Sequence, residues 1–155
     1  MNSQSALQLF NSIDKTIGDI DSISGANILI DSYLAKFLVV YICGVYEEII
    51  ESILVDFVQR YATRSEVVEY ARETIKRSFQ NPNSNKLIEL ADKLGNNTWK
   101  VALKNMTAEA VALDSIATNK NSLAHGGTST ITLPEVKDYY KQSRPLIEKF
   151  DELLA

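Results

Sequence analysis

Cysteine and histidine each occur once, as Cys43 and His125. One thiol and one imidazole cannot supply the four ligands of a structural zinc site, which excludes a metal-stapled domain. A lone cysteine in an apolar run reads as a small buried hydrophobe in a reducing compartment, not as half of a disulfide. Glycine and proline are also scarce, at 6 and 3 in 155 residues, and no internal repeat or low-complexity segment is visible, a composition unlike that of a disordered chain. The longest uncharged apolar run, Phe37 to Tyr46, is about half of a membrane span. The first twenty residues lack a basic segment followed by an apolar one. The expectation is a cytoplasmic protein with no membrane partner.

Catalytic signatures are equally sparse. The chain has no GxxxxGK[ST], GxGxxG, HExxH or GxSxG sequence, so neither a phosphate-cradling loop nor a metalloprotease or serine hydrolase site can be read from it. No cofactor or metal is implied. The net charge of −4 argues against coating of nucleic acid by bulk electrostatics. The distribution says more than the sum. Residues 1–56 hold eight acids and two lysines, a net of −6, which leaves +2 for residues 57–155. An anionic ligand is favoured on the second part.

What is present is helical periodicity. Hydrophobic residues make up 45% of the chain and 155 residues fit one domain, long enough to bury about 70% of the surface that its unfolded form exposes. Ala6, Leu9, Phe10, Ile13, Ile17 and Ile20 recur at three- and four-residue spacing, which predicts an amphipathic helix ending near Gly25. Asn27 to Ala62 contains no proline and one glycine; it predicts one long helix, apolar on most faces in its first half and therefore central. Thr63 and Glu66 have capping-box spacing ahead of a third helix, which NPNSN at 81–85 stops. A short helix over 85–94 closes at Gly95, and residues 96–106 are left open. Thr107 is placed to cap a helix that Gly126 and Gly127 end, with His125 on its last turn. Thr132 and Glu135 form another capping box, opening a helix with Pro134 in its first turn and Pro145 expected to kink it. The sum is an all-α bundle of four to six helices in a single domain, framed by two long antiparallel helices, Asn27–Ala62 and Thr107–Ala124.

Within that frame one helix end concentrates chemistry. Asn121 and His125 are four residues apart, so their Cβ atoms stand on one face about 5–6 Å apart. Lys120 lies beside them, and the small Ala124 lets another helix or a second copy approach closely. A histidine titrates near neutral pH and suits general acid–base work, and an amide and a cation nearby suit a phosphate. The same residues also fit ordinary capping, in which a histidine and a lysine close a helix before glycine. Glu47, Glu48 and Glu51 make an acidic ridge that reads as a solvated face. Tyr139, Tyr140, Lys141 and Arg144, and Trp99 with Lys100 and Lys104, are aromatic-basic patches able to stack on bases, yet each reads better as a core edge. Arg72, Lys76 and Arg77 are spaced to pair with Glu69 and Glu73.

ATNKNSLAHGG, residues 117–127, resembles the signature of HEPN domains (higher eukaryotes and prokaryotes nucleotide-binding), in which a late helix carries R-N-x-x-A-H-G. The nearest branch is the RiboL-PSP and MAE-type group of small stand-alone bacterial proteins. GVYEEIIE around Glu47 is similar to the acid-bearing stretch of the family's long earlier helix. The resemblance implies a HEPN-like helical bundle, and many HEPN proteins are metal-independent endoribonucleases acting as dimers across a shared cleft. Carried over by position, His125 is the base for a ribose 2′-OH, Lys120 takes the arginine place beside the phosphate, Asn121 orients phosphate or imidazole, and Glu47 reaches in from the long helix. The implied role is a toxin or a defence component restrained by an antitoxin or other partner protein. Lysine in place of arginine departs from the pattern, since an ammonium is a point charge where a guanidinium is a bidentate fork. Non-catalytic HEPN modules that bind nucleotide, RNA or a protein partner are the alternative.

Overall fold

Ser3, Asn27, Asn83, Asn96 and Thr132 each place a side-chain oxygen on the unpaired N–H groups that open a helix, and these caps set much of the element map. The computed structural model describes residues 1–126 and 129–155, with every side chain among them except that of Ser78. Seven helices and no strand occur among the described residues: α1 Gln4–Ile23, α2 Ile28–Tyr61, α3 Ser65–Ser78, α4 Ser84–Lys93, α5 Asn97–Lys104, α6 Thr107–Ala124 and α7 Leu133–Leu153. The all-α expectation stands, and the helix beyond the predicted four to six is α5, in the stretch that periodicity leaves open. It forms because Asn96 Oδ1 accepts from the Thr98 and Trp99 N–H groups at 3.1 and 3.2 Å.

Two predicted caps are not made. Arg64, not Thr63, precedes α3, and no side chain bonds to its first turn; Glu66 instead lies 3.5 Å from the Ser65 hydroxyl. Thr107 is the first helical residue of α6, with Met106 at the cap position and no side-chain bond. The Thr132–Glu135 box forms in full, with the Thr132 N–H and hydroxyl on Glu135 Oε2 at 2.8 and 2.7 Å. α7 then runs through Pro145 to Leu153 as one helix.

The core is built around α2, which packs against α1, α3, α6 and α7. Ala6, Phe10, Ile13 and Ile20 of α1 are buried on one stripe, and Phe10 meets the fully buried Tyr46 edge-on at 6.0 Å. Each such large apolar side chain contributes on the order of 1.5–3 kcal/mol. The Tyr46 hydroxyl is satisfied inside the core by Ser143 Oγ of α7 at 2.8 Å, and burial pushes its ionisation well above the usual phenol range.

α2 is central over most of its length but not at its start. Ile30, Tyr33, Phe37 and Val40 remain between 46% and 61% exposed, although the apolar sequence predicts burial there. By length and composition α2 is the one helix among the described residues able to cross a membrane, with an 18-residue window of mean hydropathy 1.9, of which 33% is buried.

Candidate functional site

α6 is pinned to the core by Ala112, Leu113, Ile116 and Ala117, all buried. The opposite end of the helix therefore projects: Lys120 and Asn121 are half-buried, while Ala124 and His125 are exposed. His125 is the C-cap, just past the last helical residue, with its backbone N–H on the Asn121 carbonyl at 3.1 Å. Gly126 follows with φ +75°, the left-handed turn expected of a helix-ending glycine. Gly127, the second residue of the predicted stop, lies outside the described residues. Among the described residues the His125 ring and the Asn121 amide make no side-chain hydrogen bond; it is the backbone, not the imidazole, that caps α6.

Glu47 comes from the middle of α2, one turn after Cys43. Its Oε1 accepts the backbone N–H of Asn81 at 2.7 Å. Asn81 lies in the α3–α4 connection with φ +55°, the only non-glycine residue with positive φ among those described. Its side-chain Oδ1 in turn accepts a hydrogen bond from Lys120 Nζ. The connection is fixed at both ends: Phe79 and Pro82 are buried, and the Ser84 N–H and hydroxyl donate to Asp114 of α6 at 2.7 and 2.8 Å. Lys86 Nζ bonds the Gln80 carbonyl in the same connection.

Asn81 thus stands between the acid and the cation. No direct ion pair joins Glu47 to Lys120 among the described residues, so the ammonium keeps its charge unneutralised by a bound carboxylate. Cys43 marks the dry floor below them. Burial pushes its thiol up to about 11, with Glu47 adding to the shift and Lys120 and Lys86 opposing it; all three charges are therefore felt at one buried point.

A model of the RiboL-PSP-HEPN family matches residues 2–155. The chain belongs to the RiboL-PSP-HEPN family. The match spans nearly the whole chain, and a HEPN domain points to RNase-type or nucleotide-binding function. No curated protein and no solved structure matches the chain.

In this HEPN chain the four residues singled out by the resemblance fall into two groups. Glu47 and Lys120, 73 positions apart, are brought together through Asn81. Asn121 and His125 share the same helix end but are not bonded to that pair. The residue that sequence reasoning misses is Asn81, read there only as part of a helix stop. Its one legible signal is chemical type, since asparagine is enriched among non-glycine residues at positive φ; what it touches is not local information.

Of the other basic candidates, Arg144, Lys100, Arg72 and Arg77 are already engaged, whereas Lys76, Lys104 and Lys141 make no ion pair among the described residues. Tyr140 is buried and donates to Asp14 Oδ1 at 2.6 Å, and Arg144 pairs with Asp14 and Glu148 while lying 4.6 Å over the Phe10 ring. Trp99 packs edge-on to Phe57 at 6.2 Å, with Lys100 paired to Asp92 at 2.8 Å. Both patches are core edges, as the spacing predicts. Arg72 and Arg77 pair with Glu69 and Glu73, surface contacts worth up to about 1 kcal/mol each.

Proposed function

We propose that this protein is a HEPN endoribonuclease that cleaves RNA in the cytoplasm as a homodimer, without a catalytic metal. The observation that carries the reading is the end of α6: a free, exposed imidazole at His125, beside a lysine that Asn81 holds in place together with Glu47. His125 takes the proton of a ribose 2′-OH. The resulting oxygen attacks the adjacent phosphorus, the bond to the 5′-oxygen breaks, and the products are a cyclic phosphate end and a 5′-hydroxyl that takes up a proton. General base action of this kind is worth about 10²–10⁴ in rate. Lys120 stabilises the charge that gathers on the phosphate oxygens, Asn121 orients phosphate or ring, and Glu47 fixes Asn81 and hence the lysine.

The role that fits is a toxin or defence nuclease kept in check by an antitoxin or other protein partner. One observation favours a second reading, a module that binds nucleotide or RNA without cutting it: Lys120 stands at the arginine position and gives a hydrogen bond to Asn81, so it meets a phosphate with fewer donors than a guanidinium has. Labelled RNA incubated with the purified protein in chelator separates the two. Cleavage that is lost in His125→Ala supports the nuclease; binding without cleavage, equal in both proteins, supports the module.

A further inference from the structure

α2 carries an exposed seam that ends at the site. Ile30, Tyr33, Phe37 and Val40 are 49%, 61%, 53% and 46% exposed, and their spacing of three, four and three residues continues through Gly44, Glu47 and Glu51. That alternation is the heptad pattern by which one helix meets another along its length. From Ile30 to Glu51, beyond which Leu54 is buried in the core of its own chain, the seam is about 32 Å long at 1.5 Å per residue. Gly44 interrupts it with a notch, since a Cβ built there meets nothing within 4 Å. Charge is divided along it too. Lys36 lies in the apolar half, its Nζ 5.6 Å from the Tyr33 ring centre, and the acids Glu47, Glu48 and Glu51 lie in the other half.

We infer that the seam is covered by the α2 helix of a second copy of this chain, running antiparallel about a two-fold axis level with Ile42. The inference takes its stoichiometry from the homodimer reading above. In this register Val40 of each copy enters the Gly44 notch of the other, and Phe37 covers the stem of Glu47, whose carboxylate is turned to Asn81. Tyr33 faces Glu51. Lys36 and Glu47 lie on the same side of the seam, so Lys36 of one copy comes beside Glu47 of the other. The self-complementary charge argues for a second copy over an unrelated partner: only an antiparallel α2 sets the cation of one half against the acids of the other half twice. Sliding the pairing by one heptad puts Tyr33 at the notch and Ile30 on Glu47, and leaves Lys36 opposite Tyr41 with no acid. The consequence is that each site is completed by the other copy, which supplies Lys36 and Phe37 next to Glu47.

The test is cross-linking between two variants in a Cys43→Ser background. Val40→Cys protein mixed with Gly44→Cys protein is expected to form a disulfide-linked dimer under mild oxidation, and Val40→Asp is expected to raise the dimer dissociation constant more than about tenfold, read by sedimentation. A monomer at all concentrations, or a dimer that forms no such disulfide and is unmoved by Val40→Asp, overturns the seam. Flotation of the wild-type monomer with phosphatidylcholine–phosphatidylglycerol vesicles, abolished by Val40→Asp, overturns it in favour of a lipid surface. The nuclease reading is judged separately on labelled RNA: a seam dimer that leaves RNA intact keeps this interface and loses the catalytic proposal, whereas cleavage by a protein without the disulfide does the reverse.

Discussion

Glu47 and Lys120 are held together without touching each other. Glu47 accepts the Asn81 N–H at 2.7 Å and Lys120 donates to the Asn81 side chain, so a single residue with φ +55° sets the spacing of an acid and a cation on two different helices. Asn81→Gly keeps both the left-handed backbone and the N–H that Glu47 accepts, but removes the acceptor for Lys120. It is expected to leave stability within about 0.5 kcal/mol of wild type while weakening RNA cleavage. Asn81→Ala loses the acceptor and keeps a Cβ in the left-handed region without the short polar side chain that makes asparagine tolerated there, at a cost of up to about 1–2 kcal/mol. Urea unfolding of the two variants, compared with their cleavage rates, checks the separation; equal destabilisation would mean that the conformation is not what Asn81 supplies.

His125 is exposed and its ring has no hydrogen-bond partner among the described residues, so the capping reading and the catalytic reading diverge in what its removal costs. The backbone N–H that closes α6 survives His125→Ala. Thermal unfolding should therefore move little, by an amount equivalent to about 0.5 kcal/mol or less, while cleavage falls by about 10²–10⁴. A loss of stability near 1 kcal/mol with unchanged cleavage would return the residue to a cap.

How far the sequence reached can be put in terms of these residues. Caps, helix stops and apolar stripes are short-range, so α1, α2, α6 and α7 were legible to within a residue or two, and so was the whole Thr132–Glu135 box. Thr63 and Thr107 were misplaced because a threonine ahead of a helix has cap chemistry whether or not the chain enters at the angle that uses it. Glu47 and Lys120 are separated by 73 positions, and nothing local links them; the resemblance proposed both, but the bridge through Asn81 depends on how α3 hands over to α4. The exposure of Phe37 and Val40 was hidden for a related reason: apolar sequence predicts that a face is covered, without saying by which chain.

Lys120 carries the main chemical question of the site, and substitution by the family's residue addresses it. Lys120→Arg gives the phosphate two parallel donors in place of one point charge and is expected to cleave RNA at least as fast as wild type. Lys120→Met keeps much of the stem and removes the charge, at an expected cost of about 10²–10³ in rate, as for other groups that stabilise a developing anion. If Met cleaves as well as lysine does, the cation has no part in the reaction.

Asp151 is buried at 3% exposure and receives the Ser3 N–H at 3.1 Å as well as that of Asn2, so the last helix anchors the residue that caps the first. Asp151→Ala leaves two buried or half-buried N–H groups without their acceptor, and each such loss costs about 1–3 kcal/mol. The expected signature is local as well as global. Hydrogen exchange should speed up at the start of α1 more than in α2, and a uniform change along the chain would count against the anchor.

Cys43 supplies a prediction whose sign follows from its surroundings. Its thiol ionises at about 11 in the folded protein against 9.0 for the free group, first because it is buried and second because Glu47 lies close. Below pH 9 the thiol is neutral in both states and its contribution is fully present. As pH rises from 9.0 towards about 11 the unfolded chain loses its proton first, so stability falls across that window, by about 3 kcal/mol at most for this group. Cys43→Ala should flatten that part of the stability profile relative to wild type, because the raised tyrosines contribute equally to both. The same burial predicts slow alkylation by iodoacetamide at pH 8 in buffer and fast alkylation in urea. Rapid alkylation of the folded protein would place the thiol at the surface, and with it the floor of the site that Glu47 and Lys120 stand on.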